Sequence, residues 1–322
     1  MYIIVTGAAG FIGSCIVKML NDLGYKNIII VDHIGSSEKW KNIRNKTFME
    51  YYNKEEFLAV LPKYSGQVSH IIHMGACSST TEKDFDYLYQ NNFNYTRKLW
   101  KFSIENNCSF IYASSAATYG MGEMGFDDKK EIKCLSPLNG YGYSKQLFDL
   151  WAEKQQEKPR QYVGFKFFNV YGPNEYFKGT MASVVMHAFR QIKDHGYVEL
   201  FRSYNENYAD GEQLRDFVYV KDICKVVRFA IENNSVSGLF NLGTGKAESF
   251  RRLGECTFRA LGIEPDIRYI EMPESLREKY QYYTQADMEK LWNAGYKDDF
   301  YSLEEGISDY VQQYLDRGYL VY

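Results

Sequence analysis

The chain alternates short apolar runs with longer stretches in which apolar residues recur at helical spacing. Six runs are rich in β-branched and aromatic residues: YIIVT (2–6), NIIIVD (27–32), TFMEYY (47–52), HIIHMGA (70–76), SFIYASS (109–115) and YVGFKFFNVYG (162–172). Continuous apolar runs of this kind are typical of buried parallel strands. Between them, FIGSCIVKMLNDLG (11–24) and FDYLYQNNFNYTRKLWKFSIENN (85–107) have the spacing of helices. This alternation predicts an α/β fold with a doubly wound parallel sheet.

The second half of the chain has a different pattern. After Pro173 the elements become shorter, and a polar loop, RSYNENYADGEQL (202–214), precedes two short strand-like runs. We therefore predict a first domain over residues 1–172, to which later segments near 215–250 return. A smaller α/β lobe is predicted over residues 173–322.

Composition and charge exclude several classes of protein. The 322 residues carry a net charge of -3, with Lys and Arg scattered among Asp and Glu, so no basic surface for nucleic acid is expected. The six cysteines form no C-x-x-C pair, which favours reduced thiols over disulfides or a metal site. No apolar run approaches the ~20 residues of a membrane span, and the first residues lack the pattern of a signal peptide. We expect a cytoplasmic protein without metal, membrane or nucleic-acid partners.

Three glycines at three-residue spacing, Gly7, Gly10 and Gly13, follow the first predicted strand. In a doubly wound sheet, the first βα turn lies where a dinucleotide pyrophosphate can rest on the N-terminus of a helix. Gly7 would allow the tight turn, Gly10 the approach of phosphate and Gly13 the packing of helix on strand. Asp32 ends the second predicted strand, where an acidic group meets an adenosine ribose. A purely structural turn and an ordinary turn carboxylate are the alternatives.

A second group of residues indicates redox chemistry. The segment SSAATYG (114–120) ends the fifth strand, and Tyr141 and Lys145 lie one helical turn apart after the next loop. The lysine ammonium is expected to lower the tyrosine pKa from its usual ~10. Such a tyrosine can exchange a proton with an alcohol while a nicotinamide exchanges hydride. Ser115 would hold the same oxygen, and Ser114 would face the other side of the strand.

Together these residues resemble the extended short-chain dehydrogenase/reductase superfamily, whose members have a Rossmann-type fold. Other segments are similar to a narrower family, the bacterial ADP-L-glycero-D-manno-heptose 6-epimerases: GACSSTTE (75–82), ASSAATYG (113–120), LNGYGYSK (138–145), FFNVYGPNEYFKGTMASV (167–184), RDFVYV (215–220), FNLGTGKAESF (240–250) and YTQAD (283–287). The resemblance implies epimerisation at C6″ of an ADP-linked heptose, by transient oxidation with tightly bound NADP. It also implies a role in supplying heptose to the lipopolysaccharide inner core and assembly as a homopentamer.

The resemblance assigns a second acid/base besides Tyr141. The substrate oxygen occupies different places in the two epimers, so two groups at different positions are needed. Lys178 matches the second group of the family, and which base serves which epimer stays open. From the residues alone, Lys178 would be a loop lysine or a phosphate contact.

The resemblance also implies a set of cofactor-binding residues. They are Gly7, Gly10, Phe11, Ile12, Gly13, Asp32, His33, Lys39, Lys54, Met74, Gly75, Ala76, Cys77, Ser78, Asn91, Lys145, Val170 and Lys178. Lys39 and Lys54 suit the 2′-phosphate of NADP, whereas Asp32 would repel that phosphate and favours NAD. The resemblance favours NADP, with NAD as the alternative.

Substrate-binding residues are implied in the same way. They are Ser115, Asn169, Thr180, His187, Phe201, Arg202, Ser203, Tyr204, Arg215 and Tyr280. The guanidinium of Arg215 suits a diphosphate; its alternative is a salt bridge with Asp216 or Asp222. His187 could equally be a packed histidine.

The sequence departs from the family pattern at three places. The first turn reads GAAG (7–10) instead of GGAG, Met74 replaces a common glutamate, and the loop before Arg215 is longer than usual. The longer loop adjoins the expected substrate pocket, so it could change the preference for sugar or nucleotide.

Other functions are weighed against the same residues. A UDP-sugar 4-epimerase would share Ser115, Tyr141 and Lys145 but needs no second base such as Lys178. A dehydratase would need an Asp/Glu pair where this chain has AAT (116–118). A non-catalytic dinucleotide sensor would be expected to lose Tyr141 or Lys145.

Overall fold

Strands and helices alternate along the computed structural model, which describes residues 1–277 and 280–322. In these ranges the strands are β1 (Tyr2–Thr6), β2 (Ile28–Asp32), β3 (Glu50–Asn53), β4 (Val68–His73), β5 (Ser109–Ser115), β6 (Gln161–Phe167), β7 (Asn169–Tyr171), β8 (Val198–Phe201), β9 (Leu214–Tyr219), β10 (Gly238–Leu242), β11 (Ala247–Ser249) and β12 (Ile267–Ile270). The α-helices are α1 (Phe11–Asp22), α2 (Lys54–Val60), α3 (Phe85–Leu88), α4 (Tyr95–Glu105), α5 (Gly140–Lys154), α6 (Val184–His195), α7 (Val220–Glu232), α8 (Phe250–Leu261), α9 (Glu274–Arg277), α10 (Glu289–Asn293) and α11 (Leu303–Tyr310).

The central sheet has seven strands in the order β10-β6-β5-β4-β1-β2-β3. Every neighbouring pair in it is parallel. The order reverses direction at β1, where the chain crosses from one half of the sheet to the other. The predicted doubly wound α/β fold is confirmed.

Helices cover both faces of this sheet because side chains alternate along each strand. Ile3 and Val5 of β1 pack in one buried cluster with residues of α1 and α7, such as Ile16. Ile4, between them, packs on the opposite face among residues of α4 and α5, including Trp100 and Phe148. Full burial of side chains of this size contributes about 1.5–3 kcal/mol each. The two apolar faces therefore hold the carboxyl ends of the strands, where the site lies, in place.

The predicted strand over residues 162–172 is wrong as a single element. The chain bends at Phe168, whose N–H donates to the carbonyl oxygen of Leu242 (3.1 Å). After this bend, β7 leaves the central sheet and pairs with β9 in a three-stranded sheet that also contains β11. Of the segments near 215–250, β10 adds to the central sheet beside β6, whereas β9 does not.

The predicted helix over residues 85–107 is interrupted. Between α3 and α4, residues Tyr89–Asn94 form a π-helical turn. Strands β8 and β12 form a separate parallel pair in the second half of the chain. Within residues 1–277 and 280–322, no helix combines the length and apolar character that a membrane crossing requires.

Candidate active site

A cavity of about 590 Å³ opens at the carboxyl ends of β1, β2, β4, β5 and β6. The residues that the resemblance assigns to the cofactor all line it: Gly7, Gly10, Phe11, Ile12, Gly13, Asp32, His33, Lys39, Lys54, Met74, Gly75, Ala76, Cys77, Ser78, Asn91, Lys145, Val170 and Lys178. Ser115 and Tyr141 line the same cavity. The fold therefore brings the predicted cofactor-binding residues and the predicted catalytic residues together, although they are spread over residues 7–178 of the chain.

The glycine turn brings three segments of backbone into contact. Gly7 has φ +66°, and a Cβ atom at this position would lie 2.6 Å from the amide nitrogen of Gly75. A Cβ atom on Gly13 would collide with the carbonyl oxygen of Gly7. The first turn of α1 thus lies directly against the β1 turn, and its N-terminus, which attracts anions, borders the cavity.

Asp32 is 7 % exposed and stabilises the glycine turn through a hydrogen bond. Its Oδ2 atom accepts a hydrogen bond from the N–H of Ala9 (2.8 Å), and Oδ1 accepts from the N–H of His33 (2.7 Å). The Nζ atom of Lys39 donates to the same Oδ1 atom over 2.7 Å. The negative charge of Asp32 is therefore balanced by the ammonium group of Lys39, which lines the cavity.

Lys54, the second lysine at this end of the cavity, is anchored by its neighbours. Its Nζ atom donates to Oδ1 of Asn91 (2.5 Å) and lies 3.4 Å from a carboxylate oxygen of Glu55. Both lysines expected at a 2′-phosphate thus face one part of the cavity.

The loop after β4 is fixed by Asn92, a residue that sequence reasoning missed. Its Oδ1 atom accepts from the N–H of Cys77 (2.8 Å), and its Nδ2 atom donates to the carbonyl oxygen of Cys77 (2.9 Å). Nδ2 also donates to Oγ of Ser144 on α5 (2.9 Å). Asn92 lies in the π-helical turn, and a regular helical pattern gives no signal for its orientation.

A chain of hydrogen bonds continues behind this loop. The ring of His73 bonds to Oγ1 of Thr6 (2.6 Å) and to Oγ1 of Thr96 (2.8 Å), which donates to the carbonyl oxygen of Asn92 (2.7 Å). Burial lowers the pKa of His73 to about 3, so the ring is neutral at physiological pH. The chain links the ends of β1 and β4 to the π-helical turn.

Tyr141 and Lys145 lie in the first turns of α5, against the end of β5. The Nζ atom of Lys145 donates to the carbonyl oxygen of Ala113 (2.8 Å), and burial lowers the pKa of this lysine to about 8. Burial raises the pKa of Tyr141, and a hydrogen bond with Ser115 only partly opposes the rise. The expected lowering of the Tyr141 pKa is therefore wrong for this structure, because burial dominates and the ammonium group is directed to Ala113.

Lys178 approaches the cavity from the other side, in the loop between β7 and α6. Its Nζ atom lies 5.6 Å from the ring centroid of Phe11. Burial lowers its pKa, and the nearby carboxylate of Glu175 acts in the opposite direction. Two proton-exchanging side chains, Tyr141 and Lys178, thus line one cavity from separate elements.

The loop that carries Lys178 is closed by the buried carboxylate of Glu175, which is 1 % exposed. Its Oε1 atom accepts from the N–H of Gly172 (3.2 Å) and from Oγ of Ser183 (2.7 Å), and Oε2 accepts from the N–H of Ser183 (2.5 Å). One side chain therefore ties both ends of the loop. The only sequence signal was an acidic residue inside the motif YGPNEYFKG.

The remaining substrate positions do not line this cavity in the part of the chain that the structure describes. Asn169 and Thr180 are exposed, each next to a residue of the cavity wall, and His187 is half-buried on α6. Phe201 ends β8, and Arg202 pairs with Asp210 (3.2 Å).

Arg215 is buried between aromatic rings. Its guanidinium lies 5.3 Å from the ring centroid of Tyr280 and 5.5 Å from that of Phe250. Among residues 1–277 and 280–322, no carboxylate lies within salt-bridge distance of it, so the alternative pairing with Asp216 or Asp222 is not found. A buried cation of this kind is suited to an anionic ligand.

Ser203 and Tyr204 precede Arg215 in the chain, and Tyr204 lies at a second opening. Tyr204 lines a cavity of about 570 Å³ with Asn205, Glu206, Arg277 and Tyr282. The N–H of Tyr204 donates to the hydroxyl of Tyr282 (3.1 Å), whose ring lies 5.2 Å from that of Tyr280. Neighbouring aromatic rings thus connect this opening with Arg215.

Comparisons with known proteins agree with this geometry. The model of the NAD dependent epimerase/dehydratase family matches residues 3–243. A protein of Fusobacterium nucleatum named ADP-L-glycero-D-manno-heptose-6-epimerase is 51% identical over 97% of this chain and 98% of its own length.

Solved structures of epimerases are similar to this chain over nearly its full length. The ADP-L-glycero-D-manno-heptose-6-epimerase of Helicobacter pylori is 28% identical with a TM-score of 0.80, over 97% of this chain and 95% of that one. A UDP-N-acetylglucosamine 4-epimerase of Methanobrevibacter ruminantium is 26% identical with a TM-score of 0.81, over 98% of each chain. The chain therefore belongs to the NAD-dependent epimerase/dehydratase family and, within it, to the ADP-L-glycero-D-manno-heptose-6-epimerases.

Proposed function

We propose that the protein inverts C6″ of ADP-D-glycero-β-D-manno-heptose to give the L-glycero epimer, by transient oxidation to a 6″-ketone. The observation that carries this proposal is the arrangement of Tyr141 and Lys178, which line one cavity from separate elements. A 4-epimerase in which the whole sugar turns over would have no use for the second group.

The cavity fits a nicotinamide dinucleotide, as the family description implies. The glycine turn leaves the N-terminus of α1 open to a pyrophosphate, and Lys145 lines the same cavity. When bound, the cofactor would take a hydride from C6″ and return it. We propose NADP rather than NAD, because Lys39 neutralises Asp32 and lies with Lys54 where a 2′-phosphate would be held.

The protein's own groups move the protons. Ser115 would hold the C6″ oxygen, and Tyr141 would take the hydroxyl proton in one epimer. Rotation about C5″–C6″ moves that oxygen, and Lys178 would serve it in the other epimer. Burial lowers the pKa of Lys178, which increases the fraction of neutral amine that can accept a proton.

The second half of the chain would bind the sugar nucleotide. We propose that residues 1–172 form the cofactor domain and residues 173–322 the main substrate lobe, with Arg215 holding the diphosphate. Asn169, Thr180, His187, Phe201 and Tyr280 would contact the rest of the substrate, together with the stretch 202–204. We further propose a cytoplasmic homopentamer that supplies heptose for the lipopolysaccharide inner core.

The test uses the protein as purified with ADP-D-glycero-β-D-manno-heptose, and proton NMR follows the configuration at C6″. Conversion by the wild type, with at least a ~100-fold loss in Tyr141→Phe and in Lys178→Met, is expected. Tyr143→Phe is the matched control, since Tyr143 is 45 % exposed and stacks on Phe85. Conversion of UDP-glucose but not of ADP-heptose would contradict the proposal and favour the 4-epimerase.

A further inference from the structure

An ion pair lies buried beneath Tyr141 and Lys145. Oδ2 of Asp149 on α5 lies 3.3 Å from Nζ of Lys166 on β6, and their side chains are 0 % and 1 % exposed. Removing two charges from water costs several kcal/mol each, so such a pair persists only where other polar groups complete its hydrogen bonds. A lysine within the apolar run YVGFKFF was the only sign of it in the sequence.

The Asp149 carboxylate is held by β5, the strand that also carries the catalytic serine. Oδ2 accepts from Oγ of Ser114 (2.6 Å), and Oδ1 accepts from the hydroxyl of Tyr112 (3.0 Å). The Ser114 hydroxyl bonds to the ion pair and the next residue, Ser115, lines the cavity, so the same strand end serves both.

Lys166 reaches Ser115 through one intermediate group. Its Nζ atom donates to Oγ1 of Thr118 (2.6 Å), and that hydroxyl donates to the carbonyl oxygen of Ser115 (2.8 Å). The ammonium also lies 4.9 Å from the ring centroid of Tyr119. Both members of the pair are thus connected to the backbone that holds Ser115.

The charge on Asp149 also acts on Lys145, one helical turn earlier on α5. The ionisable groups that interact with Lys145 are Asp149 on its own helix, Cys77 in the loop after β4 and His73 on β4. Burial lowers the Lys145 pKa, and the Asp149 carboxylate opposes this more than any other neighbour does.

We infer that Asp149 and Lys166 are positioning residues for the reaction: through Ser114 and Thr118, the buried pair fixes the end of β5 that carries Ser115. This inference rests on the proposed function, in which Ser115 holds the C6″ oxygen. A purely structural ion pair would contribute to the stability of the sheet without any effect on kcat.

The test measures kcat and KM for ADP-D-glycero-β-D-manno-heptose beside the midpoint of thermal unfolding, because a purely structural role would change only the unfolding midpoint. The variants are Asp149→Asn and the double variant Asp149→Asn/Lys166→Met, which leaves no buried charge unpaired if the single variant fails to fold. Lys193→Met, which breaks an exposed pair with Asp316, is the matched control.

In both Asp149 variants kcat should fall about tenfold or more with KM little changed, because Ser115 is no longer held in the reactive geometry. The control should match the wild type. Wild-type kcat in the folded double variant would overturn the inference, even if its unfolding midpoint is lowered. Failure of the wild type itself to convert ADP-heptose would instead refute the proposed function.

Discussion

The Nζ atom of Lys39 lies 2.7 Å from Oδ1 of Asp32, so the acidic residue that ends β2 already has a cationic partner. Asp32 alone would disfavour a 2′-phosphate at this place. Lys39 balances this negative charge, and Lys54 lines the same cavity. The ion pair therefore reduces the repulsion by which Asp32 alone would disfavour a 2′-phosphate.

Removing the Lys39 charge should therefore change cofactor preference. We expect Lys39→Met to weaken binding of NADP by about tenfold more than binding of NAD, as loss of one charge-assisted hydrogen bond predicts. Calorimetric titration of both cofactors into protein freed of bound nucleotide gives the ratio. Lys41→Met is the control, because Lys41 pairs with Glu38 outside the cavity. Equal weakening of both cofactors would contradict this role of Lys39.

The carboxylate of Glu175 should control the loop that carries Lys178. Glu175→Gln places an amide N–H group against donors on Gly172 or Ser183, and leaving buried donors unpaired costs about 1–3 kcal/mol. We expect kcat to fall about tenfold or more with the KM for substrate little changed. Steady-state kinetics measure the effect on kcat, and thermal unfolding measures the effect on stability. Glu199→Gln, at an exposed position, is the control. A loss of stability with wild-type kcat would show that the carboxylate does not position Lys178.

Gly13 should tolerate no side chain. A Cβ atom there would collide with the Gly7 carbonyl oxygen, so Gly13→Ala should push α1 away from the turn and abolish cofactor retention. Gly254→Ala on α8 is the comparison, because its Cβ atom would meet only the flexible end of Ile267 at 3.3 Å. Absorbance of bound nucleotide in the purified variants provides the measurement. Full retention in Gly13→Ala would contradict the close packing described here.

Acid should destabilise the fold through its buried histidines. Burial lowers the pKa of His73 to about 3 and that of His70 to about 4, whereas in the unfolded chain both titrate near 6.5. The unfolded state thus binds more protons below pH 6.5, and stability falls as pH decreases, by up to ~1.4 kcal/mol per pH unit for each group. His73→Gln should lose about half of this dependence between pH 6.5 and 5 in urea unfolding, whereas the exposed His195→Gln should keep it. An equal slope in His73→Gln and the wild type would show that His73 is not the source.

Much of the fold could be predicted because periodicity alone distinguishes its elements. The strands β1, β2 and β5 are apolar on both faces of the sheet. The helix α1 is apolar on one face. The bend at Phe168 and the π-helical turn at Tyr89–Asn94 could not be predicted, since both depend on tertiary hydrogen bonds rather than on local pattern.

The candidate site also has a part that could be predicted from the sequence and a part that could not. Motifs identified the residues that line the cavity, but not the residues behind them that hold them in position. Asn92, Asp149 and Glu175 act through partners 15, 35 and 8 residues away, and no local spacing indicates such contacts. The Tyr141 pKa was predicted in the wrong direction because a sequence shows the neighbouring lysine but not the depth of burial.

The central claim is that C6″ is oxidised and reduced within one site without exchange with solvent. The most direct measurement is epimerisation of ADP-D-glycero-β-D-manno-heptose in D₂O, followed by NMR and mass spectrometry of the product. We expect the L-glycero epimer to carry protium at C6″, because the hydrogen leaves and returns as hydride. Deuterium at C6″ would mean that the carbon exchanges a proton with solvent, and the oxidation–reduction account would be wrong.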